Sequence, residues 1–242
     1  MAIINHSFKF IFVHVPKAAG TSLTSVLAPY TNYCDLEIGG THFGEQIQPA
    51  YKKRFGLTKH STASEIYSVV GAVTWSQYFS FAFVRNPFSR CLSTYHFLKK
   101  WEGLSEDFSK KINQFRDFDE YVLSDTWAES NGPDDIFRPQ MHWLKSFNKN
   151  EVLVNFVGRV ERINEDMKHI AEIIGHSKMK NDWTNIPQLN PSKSIPITEI
   201  SNTKVIEKIV QKYKIDFEIF NYPIDPQTIS NLASSKKKQN KI

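Results

Sequence analysis

Lys17 stands in the string PKAAGTS, residues 16–22, between an apolar run and a helical pattern. FIFV at residues 10–13 is continuously apolar, and Leu23, Val26 and Leu27 recur at helical spacing. This predicts a buried strand, a tight small-residue turn and a helix opened by Thr21 and Ser22. A helix N-terminus carries unpaired N–H groups and the positive end of the macrodipole, so it attracts anions. A lysine and two hydroxyls at the same place make an oxyanion of the phosphate or sulfate type the natural guest.

A second string, FAFVRNPFSRCLSTYHFLK at residues 81–99, repeats the architecture. Residues 79–84 read as a buried strand. Asn86 is a good N-cap and Pro87 suits the first helical position. Arg85 closes the strand, and Ser93 follows about two helical turns on. In open α/β sheets ligands bind beyond such strand ends. Each turn alone also has a purely structural explanation: Lys17 as a surface side chain beside a capped helix, Arg85 as the partner of a nearby carboxylate. The first turn departs from the nucleoside-triphosphate loop G-x-x-x-x-G-K-[ST], because its lysine precedes its glycine. No clear acidic strand end stands ready for magnesium. The loop therefore suits a phosphate-type anion bound without an obligatory metal.

Taken together, PKAAGTSL and RNPFSRCLS resemble the signature pair of the sulfotransferases that use 3′-phosphoadenosine-5′-phosphosulfate (PAPS). The likeness is to the carbohydrate branch (family 2), with its heparan and chondroitin O-sulfotransferases and small bacterial relatives. KHSTASEI and FVGRVERINEDM resemble two further blocks of that family, and the likeness runs from about residue 10 to 174. It implies a P-loop-like three-layer α/β domain with a central parallel sheet, PAPS as donor, its desulfated product PAP, no metal, and a sugar or other hydroxyl-bearing acceptor. It implies that Lys17 contacts the bridging oxygen and sulfuryl group. Ala19, Gly20, Thr21 and Ser22 would cradle the 5′-phosphate, and Arg85 and Ser93 the 3′-phosphate. Arg159 would help hold the nucleotide, and Lys193 would close over it from a late polar loop.

Transfer to an alcohol also needs a base, and histidine titrates in the right range. His60, beside the KHSTASEI helix start, is the choice, because the corresponding segment of the heparan-type relatives carries the catalytic histidine. His42 in GGTHFGEQ is the runner-up. Glu45 and Glu65 stay in play, although Thr62 and Glu65 also form a capping-box pattern. His14 precedes the loop on a buried strand and reads as structural.

These groups need a scaffold. A chain of 242 residues, 40% hydrophobic and 23% charged, suits one sizeable α/β domain over residues 1–230. Strands and helices alternate, predicting a parallel sheet of four or five strands with helices on both faces. Beyond the two turns, the sequence predicts a helix over 110–127, a strand at 152–157, a helix stopped by Gly175 and a last helix over 198–214. Residues 30–59 read as loop with short helical pieces. With the 101–135 and 137–147 regions, they are the expected lining of the acceptor site. Trp101, Trp127 and Trp143 could stack on sugars there, though core packing is the commoner use.

The net charge of +5 partly reflects a lysine-rich tail at 231–242, which reads as a solvated end. Two cysteines cannot frame a disulfide scaffold, and Cys91 reads as a buried thiol. No apolar run reaches the roughly 20 residues of a membrane span, and no secretory signal precedes the first strand, so a cytoplasmic enzyme is the expectation. The charge forms no basic helix face with interleaved aromatics, which argues against nucleic acid. Two rivals remain: a kinase-like phosphoryl transferase, which would need magnesium, and a nucleotide- or glycan-binding domain without a base.

Overall fold

The fold is that of a computed structural model describing residues 1–124, 127, 132–147, 151–189, 197 and 200–228. In chain order its elements are β1 (Ala2–Asn5), β2 (Phe10–Val13), α1 (Gly20–Leu27), β3 (Leu36–Ile38), α2 (His42–Phe55), α3 (Ala63–Gln77), β4 (Phe79–Val84) and α4 (Pro87–Leu98). Then come α5 (Glu106–Asn113), α6 (Phe118–Leu123), α7 (Met141–Leu144), β5 (Phe156–Arg159), α8 (Ile163–Ile174), α9 (Ser177–Asp182), α10 (Thr203–Lys212) and α11 (Lys214–Ile219). They fall into two compact units: Met1–Arg85 with Gln140–Asn190, and Asn86–Pro139 with Pro191–Ile242.

The first unit holds a five-stranded sheet in the order β3-β1-β2-β4-β5. β2, β4 and β5 are adjacent and parallel, with Val13 opposite Ala82 and Val84 opposite Arg159. β1 is antiparallel to both β2 and β3, so the sheet is mixed, and the expectation of a parallel sheet holds only for its three-stranded half. The two unforeseen strands are three and four residues long. Strands that short show too little alternation to be read, and only pairing defines them. Phe10, Phe12, Phe81 and Phe83 alternate onto one face, where they join Leu23 and Leu27 of α1, Met167 and Ile170 of α8, and Met179 and Trp183. α3 packs against β4 and α7.

Three further expectations shift. The strand expected at 152–157 pairs with β4 only from Phe156. Before it, Asn155 bonds Ser80 through its side chain, and Val152 bridges to Lys145. Residues 42–55 form a full helix, capped by Thr41 at its start and by left-handed Gly56 at its end. Only Gly44 of α2 is buried and Pro49 lies inside it, so it lacks an apolar stripe. The capping box of α3 forms as read: Thr62 Oγ1 accepts from the Glu65 N–H and Glu65 Oε2 from the Thr62 N–H. Gly175 ends α8 in the left-handed region.

In the second unit Asn86 caps α4, its Oδ1 accepting from the N–H groups of Phe88 and Ser89. Arg90 is buried and donates to the carbonyls of Ile136 and Arg138, each at 3.0 Å. Burial pushes the Cys91 thiol up to about 12, which makes it an inert packing group. The helix expected over 110–127 is broken after Asn113 and restarts with Asp117 as the cap of α6. The last long helix is confined to Thr203–Lys212. Trp127 and Trp143 are fully buried, and Trp101 stacks on Phe97 at 5.1 Å. No helix among the described residues is long and apolar enough to cross a membrane.

Candidate active site

The parallel strands β2, β4 and β5 end at one edge of the sheet, and each delivers a cation there. Lys17 follows β2, Arg85 follows β4 and Arg159 closes β5. β3 runs in the same direction, because it and β2 are both antiparallel to β1. The start of α2 therefore belongs to this edge too, as does Met1 at the head of β1.

The loop after β2 has an unusual backbone. Lys17 and Ala19 both adopt left-handed conformations, at φ 66° and 60°. Neither is glycine, and each such residue costs roughly 1–2 kcal/mol. Strain of this kind concentrates at ligand clamps, where backbone N–H groups line anion-binding concavities. Ala19 is the N-cap of α1 and supplies no side-chain cap, and the first turn carries no acidic residue. The first N–H groups of α1 are thus left for a guest, with no carboxylate to repel an anion. Lys17 is half-buried and Thr21 exposed. Ser22 Oγ accepts the Leu189 N–H at 3.3 Å, tying that residue to α1. Lys193 itself lies outside the described residues.

His60 sits in a fastened turn. The Thr58 N–H donates to Ser61 Oγ (2.9 Å), the Ser61 N–H to the Thr58 carbonyl (3.1 Å) and the Lys59 N–H to Gln48 Oε1 (2.7 Å). The His60 ring lies on the buried His14 ring, with centroids 4.7 Å apart and planes 31° from parallel. His14 reads as structural from sequence, and it is buried as expected; its contact with His60 is not visible there. Burial pushes the His14 pKa well below its ordinary value, and the Met1 amino group and His60 act in the same direction.

The other base candidates are differently placed. His42 is the exposed first residue of α2, its ring 3.5 Å from Gln46 Nε2. Glu45 accepts from the Gly40 N–H and pairs with Lys59 at 3.5 Å. Burial pushes its carboxyl up, but the Gly40 N–H and Lys59 outweigh that and hold it below its ordinary value. Glu65 is engaged in the capping box.

Two positions absent from the sequence reading support the cations. Gln140, fully buried, donates to the Arg85 carbonyl and accepts from its N–H, both at 2.8 Å. Asp166 accepts from the Arg159 N–H at 2.7 Å and from Arg162 Nε at 3.1 Å. Arg85 lies at the end of the first unit. Ser93, on α4 and partly buried, belongs to the second. Among the described residues no cluster of His, Cys, Asp or Glu is arranged to hold a metal ion.

Comparison with known proteins bears on this arrangement. The model of the sulfotransferase family matches residues 1–223. Carbohydrate sulfotransferase 14 of Danio rerio is 22% identical over 262 residues, an alignment covering 93% of this chain and 63% of that protein. The chain thus spans somewhat less than two thirds of that relative's length. No solved structure matches it significantly. With the family model running from β1 past α11, through both signature turns and the edge they define, the chain belongs to the sulfotransferase family, on the side of the carbohydrate sulfotransferases.

Proposed function

We propose that this chain is an O-sulfotransferase that uses PAPS and sulfates a hydroxyl on a carbohydrate acceptor. The observation that carries the reading is the single sheet edge. Three adjacent parallel strands present Lys17, Arg85 and Arg159 there, beside the uncapped start of α1. A donor bearing phosphate at both its 5′ and 3′ positions explains why one chain carries two basic turns. The left-handed, acid-free loop at 17–19 fits an anionic ligand on physical grounds alone.

The donor supplies a sulfuryl group on a phosphate leaving group. On this reading the N–H groups of Gly20, Thr21 and Ser22, with Ala19 turning the chain, bind the 5′-phosphate. Lys17 offsets the negative charge that grows on the leaving oxygen. Arg85 and Ser93 bind the 3′-phosphate, Arg159 adds to the nucleotide site, and Lys193 covers it. His60 removes the acceptor's hydroxyl proton as the oxygen attacks, leaving an imidazolium. The reading extends to a P-loop-like single domain over residues 1–230 and a reaction without metal. The relative's name supplies the carbohydrate acceptor.

Calorimetry with PAP, followed by transfer of labelled sulfate from PAPS to a panel of unsulfated polysaccharides and simple alcohols, tests this. Saturable PAP binding and transfer without added metal are expected. No PAP binding would overturn the reading. PAP binding with no transfer to any acceptor would make the chain a nucleotide-binding domain instead.

A further inference from the structure

We propose that His14 is a positioning residue for His60, serving as the platform that holds the base at the mouth of the anion loop. The proposal rests on the reading of His60 as base. Its own grounds are geometric. The His14 ring is wedged between three things: the first residue of α1, the backbone of Lys59 and the ring of His60.

Gly20 shows how tightly the first contact is made. A Cβ on Gly20 would come within 2.7 Å of His14 Cε1 and 2.9 Å of Cδ2, so the imidazole lies flush against the start of α1. His14 Nδ1 is 2.7 Å from the Met1 amino nitrogen. The backbone of Lys59 faces the ring and favours its protonated form, against the burial that dominates. Lys59 immediately precedes His60. The hydrogen bonds of the 58–61 turn fix the His60 backbone, leaving two side-chain torsions. The His14 ring packed against it restricts those two. A general base must keep a nitrogen within hydrogen-bond reach of the proton it takes, and misplacement is costly in rate.

Charge favours this platform as well. The ionisable groups around His14 are the Met1 amino group, Lys59 and His60, with Glu37 and Glu45 acting in turn on the Met1 amino group. Burial above all holds the His14 pKa well below its ordinary value, so the ring does not oppose the charge His60 gains on taking a proton.

The test uses the full chain, labelled with ¹⁵N and saturated with PAP. Long-range ¹H–¹⁵N spectra report the tautomer and order of each imidazole, with His60→Ala assigning the His60 signals. The variants are His14→Ala, which removes the platform, and His14→Gln, whose amide oxygen can still accept from the Met1 nitrogen. Three results are expected of His14→Ala. The His60 signals broaden or move toward tautomer averaging. PAP affinity stays within about threefold of wild type. Turnover with labelled PAPS and unsulfated chondroitin- and heparan-type polysaccharides falls roughly 10- to 100-fold. His14→Gln recovers part of both the spectrum and the rate. Unchanged His60 signals in His14→Ala would overturn the proposal, as would parallel loss of PAP affinity and rate, or a His14→Gln no better than His14→Ala. A fully active His60→Ala removes the base reading and the proposal together. An inactive His60→Ala beside a fully active His14→Ala removes the proposal alone.

Discussion

The side-chain amide of Gln140 clamps the backbone of Arg85, donating to its carbonyl and accepting from its N–H at 2.8 Å each. β4 ends at Val84, so Arg85 has left the ladder, and Gln140 supplies the two bonds a neighbouring strand would have made. The amide is fully buried, so its replacement leaves polar backbone groups without water. Gln140→Leu, close in volume and unable to hydrogen-bond, should destabilise the chain by about 2–4 kcal/mol in urea unfolding, two desolvated groups being lost. PAP affinity should fall by about tenfold as Arg85 loosens. Unaltered PAP affinity would show that Arg85 is held by other means.

Gly20 is constrained by space rather than by backbone angle. Its neighbour is the His14 ring, which is buried and has no room to retreat. Gly20→Ala should cost about 1–3 kcal/mol in denaturant unfolding through overpacking, and it should weaken PAP binding by shifting the start of α1. A second-site His14→Ala, which vacates the space, should restore much of the stability. Additive losses would contradict this contact.

The parts legible in the sequence were those whose causes are local. The run at 10–13, the PKAAGTS turn and the pattern at Leu23 and Leu27 lie within eighteen residues. The Asn86–Pro87 start and the Thr62–Glu65 box are signals of four residues or fewer, and they appear as read. What could not be read depends on distant partners. β1 and β3 exist through pairing with each other and with β2. α2 shows solvent most of its surface, so its length carried no periodic signal, although Thr41 and Gly56 marked its ends. Gln140 acts on a backbone 55 residues away, and its string FRPQMHWL advertises only aromatic packing. His14 reads as a buried residue and is one; sequence carries no sign that His60, 46 residues on, packs against it.

The buried His14 makes stability depend on pH in a defined direction. Its folded pKa lies well below the ordinary 6.5, whereas the unfolded chain takes up this proton near 6.5. Below that value the unfolded state binds more protons, so unfolding is favoured as pH falls. The contribution is complete above about pH 6.5 and is lost on acidification by at most about 1.4 kcal/mol per pH unit. Urea titrations between about pH 5 and 7.5 should show this slope in wild type and a shallower one in His14→Gln. Equal slopes would place the titration on another group.

Asp166 serves Arg159 much as Gln140 serves Arg85. It is buried, accepts the Arg159 N–H at 2.7 Å and pairs with Arg162. Asp166→Ala should therefore destabilise the end of β5 by about 1–3 kcal/mol, the cost of leaving a polar group unmet. PAP affinity should drop with it if Arg159 helps to hold the nucleotide. Arg162→Ala gives the control, since it removes the half-exposed ion-pair partner and leaves the Arg159 N–H bond intact. Its effect should be below about 1 kcal/mol. Equal effects of the two variants would mean that the ion pair, and not the backbone bond, carries the role.

Lys17 separates binding from transfer. Its backbone is held left-handed at the mouth of the loop, and its ammonium is the charge that the loop's own side chains bring there. If it acts on the leaving oxygen, its benefit is larger in the transition state than in the ground state, and removal lowers kcat far more than donor affinity. Lys17→Ala should reduce kcat by about 10²–10³-fold, while PAP affinity stays within about threefold, because PAP lacks the sulfuryl group. Lys17→Arg should fall between, since the guanidinium spreads its charge and points it differently from an ammonium. Calorimetry with PAP beside single-turnover transfer from labelled PAPS measures the two quantities separately. Equal losses in both would make Lys17 a donor-binding residue and leave the leaving oxygen to the N–H groups of α1.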